Sequence, residues 1–103
     1  MRSKITKKDL VNSVYESVAV DKKDIALVID SFLLQLRKSL EVGSVIELRG
    51  FGTFEPKLRK GRAEARNPRS GEILSVGPHY VAAFRAGKEL KEAMRAITPE
   101  EGV

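Results

Sequence analysis

Residues 45–76 read VIELRGFGTFEPKLRKGRAEARNPRSGEILSV, and this stretch decides the fold. Val45-Ile46-Glu47-Leu48-Arg49 and Phe51-Gly52-Thr53-Phe54 are short β-prone runs parted by Gly50, the pattern of a hairpin. Pro56 has no N–H to give a ladder, so it marks a sheet edge or the point where the chain leaves the main sheet. Asn67-Pro68-Arg69-Ser70-Gly71 is a turn sequence, and Glu72-Ile73-Leu74-Ser75-Val76 reads as the strand returning from it. Residues 57–76 therefore form a long two-stranded arm. Its larger apolar residues are Leu58, Ile73, Leu74 and Val76, too few for a core. An isolated ribbon is marginal in water, so the arm is expected to stay mobile until it meets a partner.

The flanking segments are helical. Thr6 followed by Asp9 gives a capping-box start, and Leu10, Val11, Val14, Tyr15 and Val18 follow at helical spacing over about 7–18. Asp21, with Asp24 three residues on, starts a second helix that Gly43 ends. Its core stripe is Ile25, Val28, Ile29, Phe32, Leu36 and Leu40. Leu27, Leu33 and Leu34 lie off that stripe, so the helix is apolar on several sides. A chain of 103 residues has too few elements to cover it, which points to a dimer. Beyond the arm, Gly77-Pro78 bends the chain and Tyr80–Phe84 re-enters the body as a strand. A last helix runs from Lys88 to about Ile97, and the polar end 98–103 frays. The expected class is α+β: two N-terminal helices, a three-stranded antiparallel sheet with a β-ribbon arm, and a short C-terminal helix. Residues 1–97 make one domain.

The charge is concentrated in the arm. The chain carries 19 Lys and Arg against 14 Asp and Glu, a net charge of +5. Lys57, Arg59, Lys60, Arg62, Arg66 and Arg69 face Glu64 alone within residues 57–69, and the rest of the chain balances. A basic excess in one place points to an acidic partner, most often nucleic acid. With no Cys there is neither a disulfide scaffold nor a thiolate metal site. No apolar run approaches the roughly 18 residues of a membrane span. The first residues lead into a charged stretch and not an apolar signal core, so the protein is expected to stay in the cytoplasm. Gly50-Phe51-Gly52 lacks the third glycine and the helix of a dinucleotide site, and Gly87-Lys88 lacks the rest of a phosphate loop. His79, the sole imidazole, has no nucleophile or carboxylate beside it and reads as structural or solvent-facing. Phe51, Phe54 and Phe84 read as core and not as base-stacking platforms. No enzyme, cofactor, metal or small-molecule substrate is expected.

Gly50-Phe51-Gly52-Thr53-Phe54, then Arg59, Arg62 and Ala65-Arg66-Asn67-Pro68-Arg69-Ser70-Gly71-Glu72, then Phe84-Arg85-Ala86-Gly87-Lys88-Glu89-Leu90-Lys91 resemble the bacterial histone-like HU/IHF proteins over about residues 6–97. The resemblance implies an intertwined homodimer in the nucleoid. Two arms reach round double-stranded DNA, and Pro68 at each tip inserts between base pairs as a wedge. The residues suit that role on their own chemistry. A narrow minor groove with negative potential takes an extended ribbon and its arginines. Proline is rigid, apolar and has no N–H to bury.

The resemblance assigns Lys57, Arg59, Lys60, Arg62, Arg66, Asn67, Pro68 and Arg69 of the arm to DNA. The body adds Lys7 at a helix N-terminus, the bare backbone at Gly50 and Gly52, and Arg85, Lys88 and Lys91. Against the common family spacing, one extra residue lies within Ala63-Glu64-Ala65. It adds a bulge or flips the alternation beyond it, so Arg66 points differently. The expected function is largely sequence-independent bending and compaction of duplex DNA. The alternative is a sequence-specific subunit of an IHF-like heterodimer, and an RNA-binding module is a further rival.

Overall fold

The computed structural model describes residues 3–66, 69–71 and 73–98; for 62–66 and 73–75 the description is of the backbone alone. Helix α1 spans Lys7–Ser17 and starts on a complete capping box. The Thr6 N–H donates to Asp9 Oδ2 at 2.9 Å, and the Asp9 N–H donates to Thr6 Oγ1 at 3.4 Å. The Thr6 backbone N–H, then the Thr6 hydroxyl, then Lys8 hold the Asp9 carboxyl below its ordinary range.

Helix α2 spans Lys22–Glu41. Asp21 holds the N-cap position as expected, but its side chain makes no capping hydrogen bond. The far end is as expected. Gly43 has φ +83°, its N–H reaches Leu40 O, and the Ser44 N–H reaches Ser39 O. That pair of bonds is a Schellman closure, and the left-handed φ favours glycine.

Strands β1 (Ile46–Leu48), β2 (Gly52–Arg59) and β5 (His79–Ala86) form an antiparallel sheet in the order β1-β2-β5. The Phe51 N–H closes the hairpin turn on Leu48 O at 2.9 Å, with Gly50 at φ +85° in the third position. Strands β3 (Arg62–Arg66) and β4 (Ile73–Val76) form a separate two-stranded ribbon, the arm. The body sheet runs further than expected. Pro56 sits inside β2 opposite Ala82, and pairing continues to Arg59 opposite His79. The β1 ladder stops at Ile46–Phe54, so Pro56 lies past that neighbour and the sheet tolerates its missing donor. The break between body and arm thus falls at 60–61 and 77–78, and residues 57–59 belong to the body sheet. Helix α3 spans Lys88–Met94, shorter than expected; 95–97 continue only as turns.

Within the arm, Arg62 pairs with Val76, but Ala65 pairs with Leu74 and Arg66 with Ile73. Three steps on β3 oppose two on β4, so one extra residue is accommodated as a bulge between Arg62 and Ala65. Register positions 62 and 65 then share one ribbon face, and 66 falls on the other.

Sheet alternation separates two faces. Ile46, Leu48, Phe54, Pro56, Tyr80, Ala82 and Phe84 lie on the face that meets α2. Phe84 packs its ring 4.8 Å from Phe54 and 5.1 Å from Phe51, but Phe51 and Phe84 stay 47% and 43% exposed, so the aromatics expected in the core are only partly covered within one chain. Val11 and Ile25 are the buried core residues among the described residues. Val28 and Phe32 of the expected α2 stripe are instead exposed, at 65% and 50%, with Leu27, Leu33 and Leu34. The chain exposes 9312 Å², whereas a compact monomer of this mass exposes about 5,800 Å². The exposed apolar side chains on α2 form an uncovered surface of the kind that marks an association surface.

Candidate nucleic-acid interface

The sheet face turned away from α2 carries Glu47 on β1, Thr53, Glu55, Lys57 and Arg59 on β2, and His79, Val81, Ala83 and Arg85 on β5. The phase follows from Phe54 and Phe84, which pair on the face toward α2, so their neighbours alternate onto the other face. Charge is graded along this face. Glu47, Glu55 and Arg85 occupy the hairpin half, where Arg85 Nη2 lies 3.9 Å from Glu55 Oε2. Lys57, Arg59 and His79 occupy the end next to the arm, all exposed, and Lys60 follows in the linker. The cationic strip thus runs out of the body into the ribbon.

Other expected site residues are spread around this strip. Arg62 and Arg66 are in β3, on opposite register faces because of the bulge. Arg69 is exposed in the turn that precedes Gly71, which has φ +73°. Asn67 and Pro68 lie outside the described residues. Gly50 is exposed in the hairpin turn. Gly52 is buried, and a Cβ there would sit 2.6 Å from both the Arg85 carbonyl oxygen and the Phe84 ring. Its lack of a side chain serves internal packing. The Gly87 N–H donates to Phe51 O at 2.9 Å, so α3 starts against the hairpin, with Lys88 at that corner and Lys91 one turn on. Lys7, in the first turn of α1, is paired with Asp30 of α2 at 2.6 Å, which offsets part of its charge.

Two features escaped the sequence reading. His79 joins the cationic end of the sheet face, which strand alternation counted back from Phe84 would have shown. Lys7, Lys8, Lys22 and Lys23 gather round an open cleft of about 490 Å³ between α1 and α2. These pairs lie 15 residues apart in sequence, and only the packing of the two helices joins them. No group of three His, Cys, Asp or Glu that could hold a metal ion occurs among the described residues. No helix among them is long and apolar enough to cross a membrane.

Comparison with known proteins places this geometry. Residues 5–95 match the family model described as bacterial DNA-binding protein. A DNA-binding protein HU of Streptococcus thermophilus is 39% identical over 89 residues, 86% of this chain and 97% of that protein. The integration host factor subunit alpha of Proteus mirabilis is 35% identical over 98 residues, 94% of this chain and 98% of the subunit. Among solved structures, an Anabaena HU crystallised with DNA superposes with a TM-score of 0.79 at 34% identity, covering 90% of this chain and all of that one.

Proposed function

Because the chain belongs to the bacterial DNA-binding protein family of HU and the integration host factor subunits, we propose that it works as a homodimer that bends and compacts duplex DNA in the cytoplasmic nucleoid, without enzymatic activity. It is an architectural DNA-binding protein. The observation that carries the reading of the site is the cationic strip of Lys57, Arg59 and Lys60. Lys57 and Arg59 lie on the sheet face that α2 leaves open, and Lys60 carries the strip into the linker toward the arm.

The dimer reading is supported by the uncovered apolar surface of α2 and by the excess exposed area. Two copies joined through those faces present two strips and two arms to one duplex. The strips neutralise phosphates, and the release of counterions drives binding with little regard to sequence. Arg62, Arg66 and Arg69 follow the arm into the minor groove, and Arg85, Lys88, Lys91, Lys7 and the Gly50–Gly52 corner hold the backbone on the body. Pro68 at the tip wedges a base step apart. Unstacking a step costs roughly a few kcal/mol, a magnitude general to DNA-bending proteins of this class, and is offset by the contacts the bend brings in. Choice among sites then follows the deformability of the DNA.

Sedimentation of the chain alone tests the homodimer: a single species of twice the chain mass is expected, and a monomer overturns it. Competition against a labelled DNA duplex tests the ligand. Unlabelled DNA of unrelated sequence should compete well and duplex RNA poorly, because the RNA minor groove is wide and shallow. Equal competition by RNA would overturn the wedge geometry. A strong preference for one DNA sequence would instead favour a role like that of the integration host factor subunits.

A further inference from the structure

His79 stands at the last cross-strand pair of the body sheet, directly opposite Arg59. Alternation puts it on the face of Lys57, Arg59 and Arg85, and it is exposed there. Its Nδ1 lies 2.9 Å from the Gly77 carbonyl oxygen. A carbonyl only accepts, so Nδ1 carries the hydrogen. The ring nitrogen left for a ligand, Nε2, is then a lone pair in the neutral imidazole and a donor only in the imidazolium.

We infer that His79 is a phosphate-binding residue at the root of the arm, and that it engages the duplex backbone only when its ring is protonated. The inference rests on the DNA-binding reading above and adds a pH dependence to it. A phosphate oxygen repels the lone pair of the neutral ring and accepts a hydrogen bond from the charged one. Each His79 that meets a phosphate therefore takes up to one proton from solvent onto Nε2 and returns it on release. Through linkage, affinity rises as pH falls. The sequence has one His, so a homodimer takes up at most two protons through this residue.

Among the described residues, the charged groups placed near the ring fit that reading. Arg59 lies across the pair, Lys57 two residues along β2, and Lys60 in the linker. Glu55 and Arg85, further along the same face, are turned to each other. Arg37 and Glu41 of α2 line a cleft with Tyr80 on the opposite face of the sheet. Lys57, Arg59 and Lys60 make the corner electropositive, and the DNA phosphate supplies the counter-charge.

Duplex affinity measured by fluorescence anisotropy at pH 8.0 and pH 6.0, at one ionic strength, tests this with three proteins. The wild type should tighten roughly five- to twentyfold on going to pH 6.0, about what two exposed charge-assisted hydrogen bonds give. His79→Gln should stay near the weaker value at both pH values. His79→Lys, charged throughout, should stay near the tighter one, which a merely structural histidine would not allow. A His79→Gln variant with the wild-type pH dependence, or a His79→Lys variant as weak as His79→Gln, overturns the inference. Wild-type protein that binds no duplex at either pH would bring down the DNA-binding reading itself.

Discussion

The salt dependence of DNA binding can be worked out residue by residue from the sheet face. Arg59 is exposed, on the open face, and next to the arm. In a homodimer Arg59→Ala removes two cations. Each phosphate that is no longer neutralised lowers the slope of log K against log salt by about 0.9, so the slope should fall by about 1.8. Between 50 and 200 mM salt the ratio of wild-type to variant affinity should then shrink by about tenfold. Lys57→Ala should behave alike. Arg85→Ala should change the slope less, because Glu55 Oε2 lies 3.9 Å from the Arg85 guanidinium and the pair brings little net charge to the DNA. Anisotropy titrations of a labelled duplex at five salt concentrations measure all three. Exposed substitutions of this kind change stability by at most about 0.5 kcal/mol, and thermal melts check that the fold is intact. An unchanged slope for Arg59→Ala would refute the placement of the strip on the DNA.

Three more outcomes follow from the body and the arm. Gly52→Ala puts a methyl 2.6 Å from the Arg85 carbonyl oxygen and the Phe84 ring; overpacking of this kind costs roughly 1–3 kcal/mol, so the variant should melt well below wild type, and an unchanged melt would contradict the packing. The Asp9 carboxyl is held low by the Thr6 N–H and hydroxyl, so the folded state favours its ionised form; that contribution is present above the unfolded value of about 3.9 and is lost as pH falls below it. Wild type should therefore be more stable than Asp9→Asn at pH 6, with the gap closing toward pH 3, and a gap constant with pH would refute the cap as its source. Deleting Glu64 removes the extra residue of the bulge, so the cross-strand pairs in the arm should shift to one uniform register; persistence of two registers by NMR would contradict the pairing of β3 with β4.

Much of the fold could be read because it rests on local chemistry. The Thr6/Asp9 box, the Gly43 helix end and the Gly50 turn each follow from a backbone need that one or two residues state openly. The bulge within 63–65 was legible as an odd residue count, and the pairing places it between Arg62 and Ala65. What could not be read depends on neighbours. Pro56 suggested the exit from the sheet, yet β1 ends before reaching it and β5 carries β2 on to Arg59. Asp21 takes the N-cap position that the sequence suggested but makes no side-chain bond there. Val28 and Phe32 fitted the helical stripe, but one copy of the chain has nothing to bury them against. For the site, the charge cluster was visible as composition, whereas the face it occupies required strand phase. Gly77-Pro78 interrupts that phase just before His79, so the histidine looked isolated until the β2–β5 register joined it to Arg59.

The central claim is that this chain bends the duplex it binds, and energy transfer between dyes at the two ends of a short DNA tests it most directly. At low salt, saturating wild-type protein should raise the transfer as the ends approach. Pro68→Ala should bind with nearly the same affinity and raise the transfer less. Tight binding by the wild type with no change in transfer would contradict the account.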